Sequence, residues 1–201
     1  MYDSIAGSRY LIQLKGVWST RKNTTMQLEP VGDPHARPVV LRDLENAIHD
    51  MLHSLVDLHK AGYTHRDLRW ENCIKVNVED EWKWVIIDLE AAGRDGEEWE
   101  GDGLTAWDES MLEDCNGKKI YTNASDMYQL GKLIVEATYS GYGEEDQDLY
   151  ALGEKMQWEC PAAMMMLEEI CKSGCEQCCK FDRAKSVSSL TRPRGQSFLS
   201  S

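Results

Sequence analysis

Residues 63–72 read YTHRDLRWEN, and the reading of this stretch decides the fold. His65, Arg66, Asp67, Leu68 and Asn72 fill the pattern H-R-D-L-x-x-x-N. A lone Asp or Asn here would be turn chemistry, since both side chains bond to nearby backbone and tolerate tight bends. Five specified positions falling together go beyond that, and the flanks suit a loop held between packed elements. Upstream, residues 40–59 (VLRDLENAIHDMLHSLVDLH) place apolar side chains at 41, 44, 48, 51, 52, 55 and 58, one face of a helix of about five turns. Ala61 and Gly62 stop it, so the helix delivers the chain straight into the motif. Downstream, CIKVNV at 73–78 alternates, Glu79 and Asp80 turn, and WKWVIID at 82–88 makes a second, more buried strand. That hairpin ends on Asp88.

H-R-D-L-x-x-x-N is the pattern of the protein-kinase catalytic loop, and the chain resembles the large lobe of that family. The resemblance implies an α+β fold: a mainly helical C-terminal lobe with a short β-hairpin at the active site and a remnant of the small lobe's sheet. It also implies roles. Asp67 orients the acceptor hydroxyl and takes its proton, Arg69 stands where many serine/threonine kinases have lysine and reaches the transferred phosphate, and Asn72 and Asp88 hold Mg2+ on the phosphates of ATP. Asp88, Leu89 and Glu90 replace D-F-G, keeping the metal-binding Asp. Leu89 is expected to plug apolar space, while Glu90 takes the place of a glycine whose freedom lets the segment swing. Residues 125–138 (SDMYQLGKLIVEAT) open with Ser125 as a helix cap. Asp126, Tyr128 and Gly131 then reproduce the D-x-aromatic-x-x-G of the central large-lobe helix. In the family that Asp supports the catalytic loop's backbone from beneath, the glycine allows close packing, and His65 and Arg66, with Asp126, are structural supports of the site. H-R-D-x-R-W-x-N is also similar to the kinase-like domains of Crinkler-type effectors and some fungal kinases.

The amino-terminal part reads as two strands, 10–17 (YLIQLKGV) and 24–28 (TTMQL), joined by STRKN. EPVGDPHARP at 29–38 follows, with three prolines and a glycine that break ladders and helices. By resemblance these are the last strand pair of the small lobe and the hinge. Leu28 then holds the gatekeeper position, and the backbone of Glu29 and Val31 meets the adenine edge; Pro30 has no N–H to give. A plain hairpin with a surface linker is the other reading. The organisation is a small-lobe remnant at 1–29, a hinge at 30–38, a large lobe at 39–179 and a basic, serine-rich tail at 180–201 with the composition of disorder. Neither a G-x-G-x-x-G loop nor a V-A-I-K lysine precedes the hinge, and Lys15 is a poor substitute. Loss of one preorganised electrostatic clamp costs about 2.7–4 kcal/mol of transition-state stabilisation. The chain is therefore expected to be truncated at its amino terminus and weak or inactive alone. Its free sheet edge invites a partner that completes the small lobe.

The formal net charge of −13 is concentrated: between Glu79 and Asn116 stand fourteen acidic residues against Lys83 and Arg94. Such a segment repels nucleic acid and draws in a basic peptide or protein substrate. The sequence holds neither a secretory leader pattern nor an apolar run of ~20 residues, so no membrane partner is expected. The seven cysteines show no disulfide framework, which points to reduced thiols in cytoplasm or nucleus. Cys171, Cys175, Cys178 and Cys179 have near metal-ligand spacing and also share one helical face, where reduced cysteine packs as a small apolar group. Residues 91–123 correspond to the activation segment, anchored by Trp107 and Met111. A phosphate on Thr105, Ser110, Tyr121 or Thr122 would find Arg66, though the acidic context opposes it. His49, His53 and His59 lack a metal-ligand set and read as surface or rim residues. Residues 149–156 and 161–171 read as two helices, with Met164, Met165 and Met166 as pliable core packing. Three functions fit: a serine/threonine-type ATP:protein phosphotransferase, a non-catalytic pseudokinase-type interaction module, and a kinase-like small-molecule phosphotransferase. Arg66 and Arg69 favour the first over the third.

Overall fold

Helix α1 (Leu41–Lys60) packs against the strands at 63–64 and 81–86. Its stripe of Leu44, Ile48, Met51, Leu52, Leu55 and Leu58 is fully buried, as the apolar spacing demands, and burial of each such side chain stabilises by about 1.5–3 kcal/mol before entropy is subtracted. Gly62, at φ 80°, ends the helix, where a left-handed residue costs glycine nothing. The computed structural model describes residues 1–34, 37–78, 80–98, 109–138, 146–159 and 161–172. Two compact units divide the chain, Met1–Leu167 and Glu168–Ser201; of the second, the described residues complete the last helix.

The architecture is α+β. Strands β1 (Gln13–Ser19) and β2 (Thr24–Glu29) form an antiparallel pair whose register shifts between Leu14 and Gly16. Strand β3 (Tyr63–Thr64) follows α1, and a single 3-10 turn (Trp70–Asn72) leads into the hairpin of β4 (Cys73–Val78) and β5 (Glu81–Ile86). β4 and β5 pair from Cys73 with Ile86 to Val78 with Glu81. Short β6 (Gly93–Arg94) returns antiparallel to β3. Strands β7 (Glu113–Cys115) and β8 (Lys118–Ile120) turn about Asn116 and Gly117, both at positive φ, the backbone that a tight right-twisted hairpin requires. Helices α2 (Asn123–Thr138), α3 (Asp146–Glu159) and α4 (Ala163–Lys172) complete the described chain. None of the described helices is long and apolar enough to cross a membrane.

Two ties fasten β5. Asp50, buried in α1, accepts the Trp84 N–H at 2.9 Å. The segment before β1 runs beside Ile86, whose N–H donates to Tyr10 O at 2.9 Å while its carbonyl accepts from Ile12 at 3.0 Å. The linker after β2 returns at Asp33, whose N–H donates to Lys75 O in β4 at 3.0 Å. α2 and α3 approach until backbone meets backbone: a Cβ on Gly131 would lie 2.5 Å from Gly153 O and 2.8 Å from Met156 Cβ. The close packing expected at Gly131 is therefore present.

Several expectations are corrected. Ser125 is not the residue before the helix but its third; its Oγ accepts the Thr122 N–H at 3.1 Å, the reach-back half of a capping box. His49 is buried against Asp50, His53 is half-buried and stacked on Tyr10, and the His59 side chain is only 9% exposed, so none is a surface residue. Of the three methionines, Met166 is buried, whereas Met164 and Met165 are exposed. Met111 does anchor its segment, packing with Leu112, Tyr121 and Tyr128. Thr105, Trp107, the side chain of Cys171, Cys175, Cys178, Cys179 and the tail at 180–201 lie outside the described residues.

Candidate active site

The loop from His65 to Asn72 crosses from β3 to β4, and its backbone bonds go to buried side chains. Asp126, in the first turn of α2, accepts the His65 N–H at 2.8 and 3.1 Å and the Arg66 N–H at 2.9 Å. His59, at the end of α1, completes the carboxylate from the other side at 2.9 Å. Burial alone would raise the Asp126 pKa, but the His59 hydrogen bond and charge, the nearby His65 and the Arg66 amide together hold it below the ordinary carboxylate value. Asp126 is thus an ionised anchor. One helical turn on, Gln129 accepts the Leu68 N–H at 2.8 Å and donates to Arg66 O at 2.8 Å.

These bonds hold a bent backbone. Arg66 sits at φ 72° and Asp88 at φ 58°, left-handed conformations that are uncommon for side-chain-bearing residues and unusual for a bulky arginine. Within the loop, Asn72 Nδ2 donates to Asp67 O at 2.8 Å and to Asp67 Oδ2 at 2.9 Å. Arg69 clasps the same carboxylate, with Nε at 3.1 Å and an Nη at 2.6 Å. Asp67, Arg69 and Asn72 are therefore in mutual contact, and Asp67 and Asn72 are buried.

The hairpin brings Ile87, the residue before Asp88, to the loop. The Ile87 N–H donates to Asn72 O at 2.8 Å, and His65 Nε2 donates to Ile87 O at 3.0 Å while its Nδ1 accepts the Asp67 N–H at 3.3 Å. His65 thereby joins the backbone of Asp67 to the residue preceding Asp88. The Asp88 side chain is exposed, and its charge helps burial to raise the pKa of Tyr2. Leu89 is buried, filling apolar space as expected, and Glu90 faces solvent.

Arg66 turns its guanidinium away from this carboxylate group. It ion-pairs with Glu97, donates to Arg94 O at 2.8 Å and Thr64 Oγ1 at 3.1 Å, and lies 4.6 Å from the centroid of the Tyr121 ring. A Cβ on Gly93 would sit 2.1 Å from the guanidinium carbon, so a side chain there would push the guanidinium aside. The hydrogen bond from Arg66 holds the Glu97 pKa below the ordinary range. The place at Arg66 considered for a phosphate is thus taken by Glu97, and Tyr121 is itself buried.

The three hinge residues lie on the β1–β2 pair and its exit rather than on the loop. Leu28 is half-buried opposite Leu14, Glu29 pairs with Lys15 at 3.8 Å, and Val31 is 88% exposed. Two residues of the site escaped the sequence reading. His59 is bonded to a carboxylate 67 positions away, and Gln129 is a neutral residue inside a helix. The signal available for Gln129 was its place three residues after Asp126, on the same helical face.

An α+β chain whose helices hold such a loop stands in a kinase-like relationship with two curated proteins. One is Crinkler effector protein 8 of Phytophthora infestans, 34% identical over 99 residues, which span 49% of this chain and 16% of that protein. The other is the human Serine/threonine-protein kinase H2, 28% identical over 143 residues, covering 67% of this chain and 37% of the relative. The chain thus spans well under half the length of either. No protein-family model matches it.

Proposed function

We propose that this chain is a protein-kinase-like ATP:protein phosphotransferase of the serine/threonine type, acting through Asp67, Arg69, Asn72 and Asp88. The observation that carries the reading is the contact of Asn72 Nδ2 with Asp67 Oδ2 at 2.9 Å, in a loop whose backbone is bonded to the residue preceding Asp88. Asp67 is the group that receives the acceptor's proton, and Arg69 holds its carboxylate through two hydrogen bonds. The same guanidinium is a planar donor fork of the kind that suits the transferred phosphoryl group. His65 and Asp126 maintain the loop.

The donor set fits Mg2+. Asn72 spends its amide nitrogen on Asp67 and keeps its amide oxygen; Asp88 offers an exposed carboxylate. Among the described residues no group of three or more His, Cys, Asp and Glu forms a metal cage. Two oxygen ligands completed by phosphates and water are what Mg2+ ordinarily accepts. When bound, the ion neutralises charge on the phosphates. Leu28, Glu29 and Val31 remain the proposed adenine-side residues. The exposed Asp95, Glu98, Glu109, Glu113 and Asp114 favour a basic peptide around the acceptor hydroxyl and disfavour nucleic acid.

The test is Mg2+-dependent ATP binding by thermal shift, followed by phosphate transfer to a basic serine peptide. Asp88→Ala should abolish the Mg2+-dependent shift, and Asp67→Asn should keep the shift while lowering transfer by about 100-fold or more. Absence of any nucleotide response in the wild type would defeat the proposal. A second reading, a non-catalytic interaction module, is favoured by the β1–β2 pair, which exposes Val17, Trp18 and Met26 at 51%, 54% and 53%. Nucleotide binding without transfer would select it.

A further inference from the structure

We infer that Gln129 is a positioning residue that sets the direction of the Asp67 carboxylate, an assignment that rests on the phosphotransferase reading. Gln129 is fully buried, at 0% exposure. Its two bonds bracket Asp67: Nε2 donates to Arg66 O on one side, and Oε1 accepts the Leu68 N–H on the other, both at 2.8 Å. Met111 Sδ, 3.1 Å from Nε2, closes the amide's remaining side.

The chemistry of the amide matters. A carboxamide presents one acceptor and one donor group at fixed separation, which is what two successive peptide planes of opposite sense require. Aspartate or glutamate in ionised form could serve only the N–H, and an apolar side chain would serve neither. The bracketed segment is also where the backbone is least at ease, since Arg66 sits at φ 72°. Asp126 holds the Arg66 N–H and Gln129 holds the Arg66 carbonyl, so the left-handed residue is fixed at both ends. From there the chain has little choice in how it presents Asp67. Asn72 and Arg69 then act on a carboxylate whose backbone is hydrogen-bonded on either side. Asp126 and Gln129, three residues apart on one face of α2, make this a two-point mount for the loop.

The experiment compares the full chain with Gln129→Leu, which keeps approximate volume and removes both bonds. Amide exchange measured by NMR should show the Leu68 N–H exchanging at least ten times faster in the variant, with the Ile134 amide of α2 unchanged. Steady-state transfer to the basic peptide should show kcat lowered 10- to 100-fold with KM for ATP within twofold, because the nucleotide ligands are untouched. A purely structural role would instead speed exchange throughout α2 and lower kcat only in proportion to the unfolded fraction, and that result overturns the proposal. Equal Leu68 exchange rates in the two proteins overturn it as well. Should the wild type transfer no phosphate, the phosphotransferase reading falls, while the exchange comparison still upholds or overturns the mounting of the loop by Gln129.

Discussion

The loop at 65–72 and the β1–β2 pair are built on opposite terms. The loop's backbone is bonded to side chains of α2, and it contains the buried His65, Asp67, Leu68 and Asn72. The pair consists of two strands bonded to each other, with no buried residue on either. A buried loop that must hold the left-handed Arg66 needs partners on all sides, because an orphaned buried N–H or C=O costs about 1–3 kcal/mol. An exposed strand pair needs none of that, since water satisfies its outer groups. The comparison therefore separates what the helical part fixes, namely the arrangement of Asp67, Asn72 and the approach to Asp88, from what it leaves unfixed.

The largest effect should come from the anchor of the fixed region. Asp126→Ala removes the acceptor of the His65 and Arg66 amides and the hydrogen-bond partner of His59. Each buried amide left without its acceptor costs about 1–3 kcal/mol, and two depend on Asp126. Urea unfolding should register a loss in that range, and a loss under about 1 kcal/mol would mean that the loop does not depend on α2.

A smaller, pH-dependent effect tests how the segment before β1 is held to α1, where Tyr10 stacks on His53 at 4.7 Å between centroids. Burial first, then the neighbouring His49, lower the His53 pKa to about 4, with Asp50 and Asp57 opposing and Lys83 adding to the decrease. The unfolded chain, with a histidine pKa near ~6.5, binds the proton more readily than the folded one. The stability contributed by neutral His53 is thus complete above that value and is lost as pH falls toward about 4. Asp126, whose pKa is held low, loses its contribution only at more acid pH, below the usual carboxylate range. Melting temperature followed from pH 7 to pH 4 should fall more steeply for the wild type than for His53→Gln; parallel curves would discard this account.

How far the sequence revealed this arrangement depended on the range of each interaction. The buried face of α1 was legible because apolar periodicity is local and the core answers to it directly. Asp67, Asn72 and the hairpin leading to Asp88 were legible as a motif set between two clear elements. The β7–β8 hairpin was also written locally, as Asn116-Gly117, the strongest short hairpin signal, but three-residue strands of acidic and lysine residues carry no alternation to support it. His59 was misread because its partner is remote in sequence, and Gln129 had no pattern to betray it. Polar side chains that serve backbone amides obey geometry created only after the helices pack, so their roles cannot be read from spacing alone.

The smallest effect should come from the exposed pair, and it tests the comparison from the other side. Val17 faces Met26 across the strands, and the Trp18 ring lies against Gly16, where a Cβ would meet it at 3.0 Å. These contacts are real, but each side chain keeps about half of its surface in water. A cross-strand pair contributes roughly 0.2–1 kcal/mol, and surface substitutions away from special features change stability by about 0.5 kcal/mol or less. Trp18→Thr and Val17→Thr should each stay near that figure in urea unfolding, with threonine's strand preference offsetting part of the lost contact. A loss above about 1.5 kcal/mol is the scale of a buried side chain. It would mean that the pair is covered in solution, and sedimentation of the same samples would then show whether a second copy covers it.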